Sequence, residues 1–319
     1  MVVPSGRGDD AGELGGQVGL RILVVRQGAA DGQDARHCLV VGKSADPKLR
    51  IVAVVTATAG LVRACHPEPT LAVTALAGLL ALRLGHDAGA LVLVVAAVFT
   101  GQLTVGWSND LVDAGRDRAV GRADKPLVTG RVSARVVGVA LVVAAVACVV
   151  LSLALGLAAG SLHLVLVGCG VAYNVVLKRT SLSWLPYAVA FGLLPAVASL
   201  ALDPPVWPPW WMVAAGALLG VGAHLVNVLP DLDDDAATGV RGLPHRLGPA
   251  RARLIAVIVL AAASVLVVLG PGRPPVWAWA GLGVVGVLVV TALRGGGSTP
   301  FRAAMAIALV DVVLLVLRS

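Results

Sequence analysis

From residue 51 onward the chain is a series of long apolar runs separated by short charged or Pro/Gly-rich breaks. The first stretch, 51–62, is too short to cross about 30 Å of hydrocarbon, so it is expected to lie at the interface or to extend the next helix. Nine further runs follow, at about 70–84, 90–108, 134–155, 161–177, 183–201, 210–229, 252–269, 275–293 and 301–317. Several approach the roughly 20 residues that a spanning helix needs. The pattern predicts an all-α, polytopic membrane protein of about nine transmembrane helices. Residues 1–50 break the pattern: they are rich in Gly and Asp, show no sustained period, and hold 13 of the 43 charged side chains. They read as a disordered cytoplasmic N-terminal tail ahead of a transmembrane domain at 51–319.

Composition narrows this further. Of 319 residues, 58% are hydrophobic and only 13% charged, against about 45–50% and about 25% in soluble proteins. A large water-soluble enzyme is excluded, and so is disorder of the main body, which must bury its apolar surface. The scarcity of aromatics, 4% of the chain, leaves small aliphatic side chains suited to close helix packing. Cys38, Cys65, Cys148 and Cys169 show no C-x-x-C spacing, so packed free thiols are expected in place of a zinc site or disulfides.

A net charge of +7 first suggests nucleic acid, but its distribution does not. With nine spans, the even-to-odd connections carry 14 Lys and Arg, among them Arg116, Arg118, Arg122, Lys125, Lys178 and Arg179, whereas the other side has Arg83, Arg273 and Arg318. The positive-inside rule then places the N-terminus and the long loops in the cytoplasm of a cell-membrane protein. The bilayer accounts for the charge, and no nucleic-acid partner is expected. Trp207, Trp210 and Trp211, in a Pro-rich stretch at the opposite face, are expected to anchor the headgroup boundary.

The acidic residues carry the chemistry. Beyond residue 50 there are 12, and eight fall in two groups: Asp110, Asp113, Asp117 and Asp124, then Asp231, Asp233, Asp234 and Asp235. Asp110, Asp113 and Asp117 follow an i, i+3, i+7 spacing that puts them on one helical face, with Asn109 four residues before Asp113. Asn227, Asp231 and Asp235, at i, i+4, i+8, repeat the arrangement on a continuous helix. Carboxylates crowded at a membrane edge repel one another and oppose the dipole of a helix C-terminus unless a cation sits among them. An all-oxygen donor set selects Mg²⁺ or Ca²⁺. Metal ions held by few carboxylates complete their shells with water and phosphate oxygens, which points to a diphosphate substrate.

Asn109-Asp110-x-x-Asp113-x-x-x-Asp117, followed by Lys125-Pro126 and Gly130-Arg131, resembles the first signature of the UbiA-type intramembrane prenyltransferases. Asp231-x-x-x-Asp235-x-x-x-Gly239, then Leu243-Pro244 and Leu247-Gly248, is similar to the second, with Gly242 where that motif commonly has Thr. The resemblance covers about residues 61–317 and implies a helical bundle around a central cavity. It also implies Mg²⁺-dependent transfer of a prenyl group from an isoprenyl diphosphate to an acceptor, often aromatic, with release of diphosphate. Asn109, Asp110, Asp113, Asp117, Asn227, Asp231 and Asp235 would hold the metal, with Asp113, Asp117, Asp231 and Asp235 central to catalysis. Lys125, Lys178, Arg179 and Arg63 would meet the diphosphate; of Arg116, Arg118, Arg122 and Lys125, one or two would touch it and the rest face solvent or headgroups. Tyr173, five residues before Lys178 where many members have four, and His224 stand as acceptor-side candidates. His245 is expected to be solvated, His163 to have no catalytic part, and Asp311, midway along the last span, to need a partner.

Two other classes fit an acidic polytopic protein. A carrier for a divalent cation or phosphorylated solute normally places its ion site near the bilayer midplane, whereas both clusters here lie at the membrane edge. A phosphotransferase acting on lipid headgroups would leave phosphate on its product.

Overall fold

The computed structural model describes residues 47–296 and 298–319, so residues 1–46 of the expected tail lie outside it. Residues 57–319 form one compact unit. The described residues are helical and contain no strand. Nine helices fall on the nine predicted runs: α2 Pro67–Arg83, α3 Ala88–Ala119, α4 Ala134–Ala154, α5 Leu157–Val175, α6 Leu185–Leu200, α7 Trp210–Val228, α10 Pro249–Leu269, α11 Val276–Arg294 and α12 Thr299–Arg318. The others are α1 Pro47–Ala64, α8 Leu232–Ala237 and α9 Leu243–Leu247. Seven of the nine are long and apolar enough to cross a membrane, while α6 is shorter, as is the 17-residue α2. Helix α1 begins at Pro47, inside the segment assigned to the tail, and is a separate helix that does not extend into α2.

Successive helices pack side by side, from α2 on α3 to α11 on α12, and α12 returns against α2 to close the ring. One apolar cluster joins α7, α10, α11 and α12, a second joins α2, α3, α5, α6 and α12, and a third joins α1, α3 and α4. Glycines set the closest approaches. On α7, a Cβ at Gly216 would lie 2.5 Å from the carbonyl oxygen of Phe191, and one at Gly220 would lie 2.2 Å from that of Tyr187. This Gly-x-x-x-Gly pair lets α6 press its backbone onto α7, as small residues do in membrane bundles.

Two of the buried intramembrane polar residues singled out from sequence find partners. Asp311, fully buried, meets the Ser264 hydroxyl on α10, and His163 meets Ser152 at 2.7 Å. The tryptophan expectation needs one correction. Trp207 and Trp210 are exposed, but Trp211 is buried in the α7–α10 cluster, where Gly270 leaves room for its indole. Cys65 and Cys148 are buried free thiols and Cys169 is a partly buried one, while Cys38 lies outside the described residues.

Candidate active site

Helix α3 is 32 residues long, about 48 Å at 1.5 Å per residue. About 20 residues suffice to cross the hydrocarbon, so starting from Ala88 the helix reaches the far edge near Trp107. Asn109 to Asp117 therefore form helical turns that continue past the apolar span, and the i, i+3, i+7 face is real. Asp110, Asp113 and Asp117 are all buried, pointing into the bundle.

Each of the first two is tied to basic groups. Asp110 Oδ1 accepts from Lys125 Nζ at 2.7 Å and meets His66 Nε2 at 3.0 Å, while its Oδ2 is buried with no partner. Asp113 accepts from Lys178 on one oxygen and from Arg116 at 2.9 Å on the other. Asp117 makes no hydrogen bond or ion pair among the described residues. Asn109 donates to Asn174 Oδ1 at 3.1 Å, and Asn174 in turn donates to the Val105 carbonyl and the Ser108 hydroxyl, each at 2.9 Å. Asn174, on α5, thus fixes the start of the first motif.

The second motif departs from the predicted geometry. Helix α7 stops at Val228, and Pro230 sits in a 3-10 turn, Leu229–Asp231, before α8 begins. Proline supplies no N–H to continue the α-helical ladder. Asn227, Asp231 and Asp235 are consequently not on one continuous helix: Asn227 is exposed, Asp231 is half-exposed, and Asp235 is more sheltered.

Arginines join the two motifs. Arg116 reaches from Asp113 to Asp235 Oδ1 at 3.8 Å, and Arg122 pairs in a fork with Asp124 at 2.9 and 3.0 Å while lying 3.6 Å from Asp231. The fork holds the Asp124 carboxyl below the usual carboxylate range. Burial pushes the Asp235 carboxyl up, opposed by Arg116. Burial also pushes the Lys178 ammonium down, opposed by Asp113. The carboxylates and cations of both motifs are interleaved in one cluster at one end of the bundle.

The loop after the second motif is seated on the end of α5. Ser183 accepts from the Leu243 N–H at 2.9 Å and meets His224 Nε2 at 3.0 Å. A Cβ at Gly242 would lie 2.7 Å from the Lys178 carbonyl oxygen and 2.9 Å from Ser183 Oγ. That contact is a physical reason for glycine where the resembled motif has Thr. Behind it, Tyr173, Tyr187 and His224 cluster with ring centroids 4.9–5.7 Å apart.

The sequence-predicted residues are thus gathered, with two exceptions. Arg63 and Arg179 are exposed, and their side chains make no hydrogen bond or ion pair among the described residues. Asp233 and Asp234 have side chains outside the described set. His245 is buried, 3.8 Å from Asp235, and not solvated as expected, because α9 folds back under the second motif. His66, Ser183 and Tyr187 belong to the site without having been assigned to it from sequence. Only His66, in the polar break just before the run at 70–84, carried a local signal.

Fold and site together define a multi-pass, all-helical membrane protein with an acidic and basic cluster at one end of its bundle. The profile of the UbiA prenyltransferase family matches residues 39–309, and the chain belongs to that family. The match begins before residue 61 and within the segment read as a tail. The chain is similar to the bacteriochlorophyll synthase 33 kDa chain of Cereibacter sphaeroides, 33% identical over 186 residues, which cover 55% of this chain and 61% of that protein. Its fold is similar to the apo structure of a UbiA homologue from Aeropyrum pernix K1 (TM-score 0.66, 22% identity, 78% of this chain and 98% of that one). It is also similar to a UbiA homologue from Archaeoglobus fulgidus bound to DMAPP and Mg²⁺ (TM-score 0.59, 16% identity, 80% and 98%).

Proposed function

We propose that this protein transfers a prenyl group from an isoprenyl diphosphate to an acceptor, releasing diphosphate, at the cluster formed by its two acidic motifs. The observation that carries this reading is Arg116, shared between Asp113 of the first motif and Asp235 of the second. Two carboxylate sets and their cations meet at one place, which is what a highly charged diphosphate leaving group with divalent cations requires. The Archaeoglobus fulgidus relative, bound to DMAPP and Mg²⁺, supports the same donor class.

The residues suit Mg²⁺. Among the described residues no three His, Cys, Asp or Glu side chains stand close enough to hold a metal as placed, and Lys125, Lys178 and Arg116 are paired with Asp110 and Asp113. The donor set is nevertheless all oxygen, and the buried Oδ2 of Asp110 has no partner; such an atom is costly unless a cation or donor reaches it. Asn109, Asp110, Asp113, Asp117, Asn227, Asp231 and Asp235 would hold the cations. When bound, Mg²⁺ would offset the negative charge that develops on the departing diphosphate.

The chain's own groups do the rest. Lys178, Arg116 and Arg122 are poised to move from carboxylate to phosphate oxygens, while Lys125 stays on Asp110 and offers a further N–H to the diphosphate, with exposed Arg63 and Arg179 at the approach. The apolar helix walls exclude water from the allylic carbon, and Tyr173, Tyr187 and His224 line the acceptor side. No covalent protein nucleophile is needed. The basic connections support an orientation with the N-terminus and both Asp-rich loops in the cytoplasm.

The test is turnover of labelled prenyl diphosphates with Mg²⁺ in detergent by the wild type, Asp113→Asn and Asp231→Asn. The reading expects both variants to be folded and inactive, and full activity in either one overturns it.

A further inference from the structure

His66 is the one non-glycine residue with positive φ among the described residues, at φ 55 and ψ 71. It forms the corner between α1 and α2, where a left-handed residue after a helix is usually Gly or Asn. Histidine is among the few side chains that adopt that backbone, though uncommonly, and such positions are held by their surroundings.

The corner is held firmly against α3. A Cβ at Gly106 would lie 2.3 Å from the Cys65 carbonyl oxygen, so only glycine admits this approach. Trp107 Nε1 donates to the Leu61 carbonyl at 3.0 Å, and Thr70 donates to the Cys65 carbonyl at 2.9 Å. Gly106 and Asp110 are four residues apart and share a face of α3. The clamp at Gly106 therefore delivers the imidazole to Asp110 one turn along. There His66 Nε2 meets Asp110 Oδ1 at 3.0 Å, the same oxygen that Lys125 Nζ holds at 2.7 Å. Lys125 Nζ and His66 Nε2 are themselves 3.3 Å apart. Both groups engage Oδ1, and Oδ2 is left buried and free.

We propose that His66 is a positioning residue of the cation site: with Lys125 it fixes Oδ1 of Asp110, so that Oδ2 is the oxygen presented to a divalent cation. This rests on the reading of Asp110 as a cation ligand. Groups that orient a ligand from behind typically change metal affinity about 10–100-fold when removed.

The experiment uses the full chain in detergent with Mn²⁺ as the probe, geranylgeranyl diphosphate present, and free Mn²⁺ followed by electron paramagnetic resonance. Thermal unfolding is recorded alongside. His66→Asn keeps a residue that accepts left-handed backbone but is too short to reach Asp110, whereas His66→Gln suits the turn less well and can still offer an N–H. The expected result is Mn²⁺ affinity lowered at least about tenfold in His66→Asn, with an unfolding midpoint close to wild type, and partly restored affinity in His66→Gln. A residue serving only the turn would give the opposite order. Wild-type affinity in His66→Asn with weakened binding in Asp113→Asn overturns the role of His66 alone. Wild-type affinity in both variants overturns the cation site and this proposal with it.

Discussion

The ion pair between Asp113 and Lys178 separates structural from chemical roles at this site. Both side chains are nearly inaccessible, at 7% and 5% exposure, so solvent screens the pair little. Removing one member of such a pair strands the other and costs about 3–5 kcal/mol. Asp113→Ala carries that loss, since Lys178 loses its partner while Arg116 retains Asp235 at 3.8 Å. Lys178→Met costs less, because Asp113 keeps Arg116 at 2.9 Å. Joining the two removes the stranded charge, and residues coupled this closely deviate from additivity by about 0.5–3 kcal/mol. Chemical unfolding in detergent micelles of the wild type, both single variants and the double variant closes the cycle. The double variant should be more stable than the sum of the singles predicts, yet inactive, because the carboxylate is gone. Additivity within about 0.5 kcal/mol would refute the pairing, and activity in the double variant would refute the chemical role of Asp113.

Other consequences follow from the packing and the donor set. Gly220→Leu drives a side chain into the Tyr187 carbonyl, 2.2 Å from the ideal Cβ position, and should destabilise the α6–α7 contact by at least about 1–3 kcal/mol, read as a lower unfolding midpoint. Gly242→Thr, although it restores the residue common in the resembled motif, should push the second-motif loop off Lys178 and Ser183 and reduce turnover. Arg116→Lys keeps the charge but loses the planar fork, and should raise the KM for the prenyl diphosphate by about tenfold, or about 1.4 kcal/mol. Chelation with EDTA should abolish diphosphate release, and added Mg²⁺ should restore it.

The fold was largely legible because apolar run length maps directly onto spanning helices: all nine runs reappear with ends shifted by a few residues, apart from α3. Its extension past residue 108 to Ala119 was hidden by its polar tail, although the i, i+3, i+7 spacing of Asp110, Asp113 and Asp117 already described a helix there. The second motif misled, since spacing alone implied a continuous helix and Pro230 ends it. Contacts between distant segments were not readable. Arg116 bridging to Asp235, Ser183 holding the Leu243 N–H, and His66 reaching Asp110 each depend on how the helix ends meet. Gly216, Gly220 and Gly242 looked like generic small residues until their neighbours were in place. Trp211 and His245 went the other way, polar or amphipathic side chains that sequence context placed at a boundary and packing placed inside.

The central claim, that the two acidic motifs cleave an isoprenyl diphosphate, is tested most directly in proteoliposomes by following free diphosphate and the prenyl group together from doubly labelled geranylgeranyl diphosphate. The account predicts Mg²⁺-dependent release of diphosphate in step with a prenylated product, lost in Asp113→Asn and Asp231→Asn. Movement of intact solute across the bilayer without release of diphosphate would contradict it.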